Sequence, residues 1–219
     1  MKLTILIAIL VGFKYLVPYL VKFGEPKKSK NKSEWELKVK FAKLNQQLFE
    51  TADNEEKEEL LYYFTHKIRQ TDNYDEASFK TMPKVLQIVY LVNELNSEIN
   101  NGGYLRFFTN SSGQYVKETL DALALIGAEH NKYLLEKALE VLTKFSLSPE
   151  NLNEKLYSKV IYETFSSSDF YENDELLEEM NKLDTEFYAN KENLSKLKLD
   201  YIESNRDELW LEIQKKYSY

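Results

Sequence analysis

A chain of 219 residues with 43% hydrophobic and 30% charged residues has the apolar content for one sizeable core and excludes wholesale disorder. The absence of cysteine excludes disulfides and thiolate chemistry, and two histidines, His66 and His130, leave almost no soft metal ligands. Of 29 basic residues only Arg69, Arg106 and Arg206 are arginine, and the net charge is -7, so bidentate arginine readout of phosphates or guanines has little to work with.

Leu3 to Phe23 reads LTILIAILVGFKYLVPYLVKF, just long enough for a spanning helix of ~20 residues. No small-x-small cleavage site precedes Glu25. Residues 1–24 are therefore read as a hydrophobic single-pass anchor, with a cleaved signal followed by export, or an interfacial or buried helix, as the alternatives. Residues 25–33 form a basic linker carrying Lys27, Lys28, Lys30 and Lys32 against Lys2 alone on the other flank, which places the following body in the cytoplasm. Residues 34–219 hold 22 basic and 35 acidic groups, a net of -13. Such a body repels nucleic acid, so no direct nucleic-acid binding is expected.

Six glycines and four prolines favour long helices over many tight hairpins. The capping box Ser33-Glu34-Trp35-Glu36 opens a first helix through Leu37, Phe41, Leu44 and Leu48, and Asp53 with Glu56 opens a second running to about Arg69. Thr71 to Ser78 is polar and reads as a loop. Pro83 suits the first turn of a central helix whose apolar face is Val85, Ile88, Val89, Val92, Leu95 and Ile99. Asn100-Asn101-Gly102-Gly103 predicts a sharp stop, because glycine accepts the left-handed backbone that closes helices. On this reading Gly102→Ala costs stability, since a Cβ is disfavoured at positive φ.

An aromatic turn, Tyr104 to Thr109, then precedes a second stop at Asn110-Ser111-Ser112-Gly113. Further helices are predicted from Val116 to Gly127, from Leu134 to Phe145, after Ser148-Pro149, around Leu176 to Leu183, around Leu194 to Tyr201, and over Leu209 to Ile213. No segment alternates as a strand does. The expected fold is all-α, a compact multi-helix domain behind an N-terminal hydrophobic helix.

The run Leu91-Val92-Asn93-Glu94-Leu95-Asn96-Ser97-Glu98-Ile99-Asn100-Asn101-Gly102-Gly103-Tyr104, continued by Phe107-Phe108-Thr109-Asn110-Ser111-Ser112-Gly113, resembles the signature of a bacterial family long labelled a domain of unknown function, whose best-known member is a DNA mimic. Two later segments, Ala122 to Ala128 and Leu183-Asp184-Thr185-Glu186-Phe187-Tyr188 with Leu199 to Ile202, extend the resemblance over about 80–213. It implies an all-α fold, homodimerisation and, for the mimic member, a carboxylate-studded face that occupies the DNA-binding surface of a transcription factor. Arg106 stands where relatives often carry Gln.

A DNA mimic has to put carboxylates where a partner expects phosphates, which requires a dense one-signed surface rather than catalytic geometry. Between Glu163 and Glu186 nine acids face Lys182 alone, and Glu172, Asp174, Glu175, Glu178 and Glu179 are its densest part. The bland reading of such a run is a solvated helix face. Asn100, Asn101, Gly102, Gly103, Phe107, Phe108, Asn110 and Gly113 are read as mainly structural. Tyr104, Phe107 and Phe108 suit core packing, and Glu94 with Glu98, four apart on one face, lacks the Glu-x-x-His partners of a di-iron bundle. No nucleophile motif or phosphate loop occurs.

The expected function is non-enzymatic: an acidic, DNA-mimicking surface presented to a basic protein, such as a DNA-binding protein, with no cofactor and no metal. The alternatives are a small-ligand binder or enzyme with a pocket at the Asn100–Gly103 turn, and a membrane-tethered scaffold.

Overall fold

The apolar periodicities of the body become helix in every segment that the computed structural model describes, namely residues 46–71, 76–149 and 173–217. No strand occurs among them, so the all-α architecture holds for the described residues. The anchor at 3–23, the linker, the Ser33 capping box, the helix expected beyond Pro149 and Glu172 lie outside them. Among the described residues no helix is long and apolar enough to cross a membrane.

The helices are α1 (Gln46–Thr51), α2 (Asn54–Thr71), α3 (Glu76–Thr81), α4 (Lys84–Thr109), a 3-10 turn (Ser111–Tyr115), α5 (Val116–Leu125), α6 (Glu129–Lys144), α7 (Asp174–Ala189), α8 (Leu194–Ser204) and α9 (Arg206–Lys216). Local chemistry sets several of their ends. Asp53 Oδ1 accepts the Glu56 amide at 2.9 Å, while Asn173 and Asn193 cap α7 and α8 by accepting the amides of Leu176 and Lys196. Gly127, at φ +75°, closes α5, with Ala128 N–H reaching back to the Leu123 carbonyl at 2.8 Å.

α4 is the axis of the fold, packed by α2, the 3-10 turn, α5, α7, α8 and α9. Leu86, Tyr90 and Leu91 are buried along with the predicted face, so the amphipathic stripe read from the sequence is, in the fold, a helix surrounded nearly all round. Burying each such side chain contributes roughly 1.5–3 kcal/mol relative to leaving it exposed.

The polar stretch Thr71–Ser78 is not a loop throughout: α3 starts at Glu76. Tertiary contacts override its composition. Phe79 packs its ring 4.4 Å from that of Tyr115 and 6.0 Å from that of Tyr90, and Ser78 Oγ accepts from Arg69 Nη1 at 2.7 Å. Arg69 is itself buried, donating also to the Tyr115 hydroxyl at 3.3 Å, with its guanidinium 5.4 Å from the Tyr90 ring. This arginine, met in the sequence only as a helix end, ties α2 to α3 and to the 3-10 turn.

Candidate functional site

The expected break at Asn100–Gly103 is present, as a kink with non-helical Gly102 and Gly103, but Tyr104 to Thr109 is not a turn: helical backbone resumes there, so that α4 consists of two helical stretches. The left-handed residue is Gly103, at φ 76°, whereas Gly102 has φ 172°, an extended value open to any residue. The positive-φ penalty on a side chain therefore falls at Gly103 and not, as expected, at Gly102. A Cβ on Gly102 would meet the Arg106 side chain at 2.7 Å, which a flexible chain can vacate, but a Cβ on Gly103 would stand 2.1 Å from Asp184 Oδ2.

A kink orphans backbone groups, and α7 supplies their partners. Asp184 Oδ1 accepts the Tyr104 amide at 2.8 Å, capping the resumed helix, and Tyr188 Oη donates to the Ile99 carbonyl at 2.7 Å. The two are four residues apart, on one face of α7. Burial holds the Asp184 carboxyl above its usual range, although the Tyr104 amide pulls the other way.

Glu98 Oε2 spans the kink, accepting from Arg106 Nε at 3.0 Å and from Asn110 Nδ2 at 2.6 Å. Asn110 N–H closes the resumed helix on the Arg106 carbonyl at 3.0 Å. A Cβ on Gly113 would stand 2.5 Å from the Phe108 carbonyl oxygen, so the 3-10 turn can lie against the helix end only with glycine there. Tyr104, Phe107 and Phe108 are fully buried. Asn100 and Asn101 are exposed and bond one turn back, to Asn96 and Ser97. Glu94 stands 3.2 Å from His66, so this carboxylate and Glu98 serve different partners.

The acidic residues lie on the other end of α7. Asp174 and Glu175 occupy its first turn, where the helix dipole favours negative charge. Lys144, from the last turn of α6, bridges Glu175 at 3.1 Å and also pairs with Glu179, and Lys182 pairs with Glu178 at 2.8 Å. Lys182 holds the Glu178 carboxyl below its usual range. The Lys144 contacts were invisible in the sequence because Lys144 is far from Glu175 and Glu179 along the chain, whereas Lys182 and Glu178 stand four apart on one helix.

A third feature is a polar cavity of about 400 Å³ beside α4, reached by Asn100 but not by Gly102 or Gly103. Its wall includes Lys198, which is buried and pairs with Glu58 and Asn93 Oδ1. Glu192, also in the wall, caps α6 from the α7–α8 connection, accepting the amides of His130 at 3.1 Å and Asn131 at 3.0 Å. Ala128, at the N-cap position, has no side chain for that task. No group of His, Asp or Glu among the described residues is arranged to hold a metal.

The family model described as DMP19-like protein matches residues 80–205, more than half of the chain. The chain belongs to the DMP19-like family. No curated protein and no solved structure matches it. The DMP19-like match takes in the kinked helix, the 3-10 turn and α7 through Asp184 and Tyr188, bringing into one contact two family segments that are 80 residues or more apart in the sequence. It ends close to the last residue of α8 and excludes α1, α2 and α9.

Proposed function

We propose that this protein is a non-enzymatic binding module that offers the acidic end of α7, carried by Asp174, Glu175, Glu178 and Glu179, to a basic surface on a DNA-binding protein. Membership of the DMP19-like family, a family of DNA mimic proteins, carries the reading. Three exposed carboxylates, Asp174, Glu175 and Glu178, with half-buried Glu179 beside them on one helix, support it physically. A partner shaped to grip phosphates needs acceptors of negative charge held at fixed spacing, and a helix spaces them without the entropy cost of ordering a loop.

Lys144 and Lys182 do not close this face. Their pairs with Glu175 and Glu178 are largely exposed, at 53–70% of full accessibility, and exposed ion pairs contribute little, while Glu179, 29% exposed in its pair with Lys144, is the more sheltered. A partner's cations can therefore replace them at small cost. Reversing Glu175, Glu178 and Glu179 to Lys should abolish affinity capture of the basic partner while circular dichroism stays unchanged, and added salt should weaken the wild-type capture as charges are screened over ~10 Å at 0.1 M. Capture that survives both would reject the acidic face.

In this reading residues 3–23 tether the body to the inner membrane face, and two copies pair as a homodimer, as the family resemblance implies. Moving the lysines of residues 27–32 to the other flank should invert the topology in accessibility mapping. Light scattering of the detergent-solubilised full chain reads the oligomeric state.

A further inference from the structure

The cavity beside α4 has a wall chemistry that the acidic face does not use. Asn93, Asn96 and Asn100 recur at i, i+3 and i+7 on α4, so they line one side of it. Asn131 of α6, with Asn190 and Asn193 around the α7–α8 connection, adds more side-chain amides. The full charges in the wall are already answered: Lys198 by Glu58, and Glu192 by the amide end of α6. Three buried polar atoms in these residues have no hydrogen-bond partner among the described residues, namely Glu58 Oε1, Asn93 Nδ2 and Asn131 Oδ1. Asn131 is 1% exposed and donates its amide to Glu192 at 2.5 Å, which leaves the carbonyl oxygen as the unused end. A buried acceptor or donor without a partner is costly, and such groups are uncommon in folded proteins.

We propose that this cavity binds a neutral, hydroxyl-rich small molecule of monosaccharide size. A volume of about 400 Å³ lies within the range of small-molecule sites. An anion would seek the N-terminus of α6, which Glu192 occupies. A cation would seek Glu58 but meet the ammonium of Lys198 already on that carboxylate. A hydroxyl group donates and accepts at once, so ring hydroxyls can hydrogen-bond with both ends of the side-chain amides that line the cavity, such as those of Asn96, Asn100 and Asn190, while introducing no charge. Phe187 and the exposed ring of Tyr188 line the same cavity and supply an apolar surface for the C–H face of such a ring.

The test uses the full chain in a detergent without a sugar headgroup. Titration calorimetry and saturation-transfer NMR would be run with glucose, N-acetylglucosamine and myo-inositol, and with glucose 6-phosphate and arginine as charged comparators. At least one neutral ligand should bind, and the charged comparators should not. Asn100→Ala, at an exposed lining position, should weaken binding about tenfold, the loss of one good hydrogen bond. Ser195→Trp, at an exposed lining position that makes none of these bonds, should abolish binding by filling the cavity. Should Asn100→Ala fail to fold, Ser195→Trp decides alone. Absence of binding by every neutral ligand, binding of arginine or the phosphorylated sugar instead, or neutral binding that survives Ser195→Trp would each overturn the inference.

Discussion

The two ends of α7 use carboxylates for opposite purposes. Near its C-terminal end Asp184 is half-buried and committed to one amide, that of Tyr104, while Tyr188 reaches the carbonyl of Ile99. At its N-terminal end Glu175, Glu178 and Glu179 hold exposed lysines that water and salt compete for. A carboxylate in the first setting has a single partner and a fixed geometry, so altering it disturbs the fold. In the second it belongs to a field, so altering it changes what the surface attracts while the fold persists. A carboxylate is structural or available depending on which end of one helix it occupies.

The largest break in this contrast should come at Gly103. Gly103→Ala combines a positive φ with a Cβ driven into Asp184, and chemical denaturation should show a loss of about 3 kcal/mol or more. Gly102→Ala, whose Cβ meets only the movable Arg106 side chain, should lose far less, and equal losses would show that the kink is not held by Asp184.

Next comes Asp184 itself. Asp184→Ala removes the cap and should cost about 1–2 kcal/mol, whereas Asp184→Asn keeps an acceptor for Tyr104 and should cost little. The pH dependence sharpens the pair. Because burial raises the folded pKa above the usual 3.8, the stabilisation linked to protonation is fully present below the unfolded value and is lost as pH rises through the folded one. Wild type should therefore gain on Asp184→Asn as pH falls from neutrality through that window, and parallel denaturation curves at all pH values would contradict it.

Tyr188→Phe keeps the ring and loses only the hydroxyl bond to Ile99, for about 0.5–1.5 kcal/mol in the same assay. At the bottom of the scale, Glu178→Gln should leave the melting temperature unchanged, because its partner Lys182 and the carboxylate are both open to solvent. A measurable destabilisation there would mean that the acidic end of α7 is as structural as the other.

The sequence by itself determined the helical spans around Leu95, Leu134, Leu176 and Leu209, the closure at Gly127 and the family segments, because period, glycine and capping chemistry act within a few residues. It also marked Gly102-Gly103 as a break, but not that the helix resumes at Tyr104. That outcome depends on a carboxylate 80 positions away along the chain, and no local pattern encodes such a pairing. The same holds for Arg69 in its aromatic surround, for Glu192 on the amides of α6, and for Lys198 beside Glu58 and Asn93. Each is a polar group whose burial becomes affordable only once distant elements supply its partners, and that is a decision of tertiary structure alone.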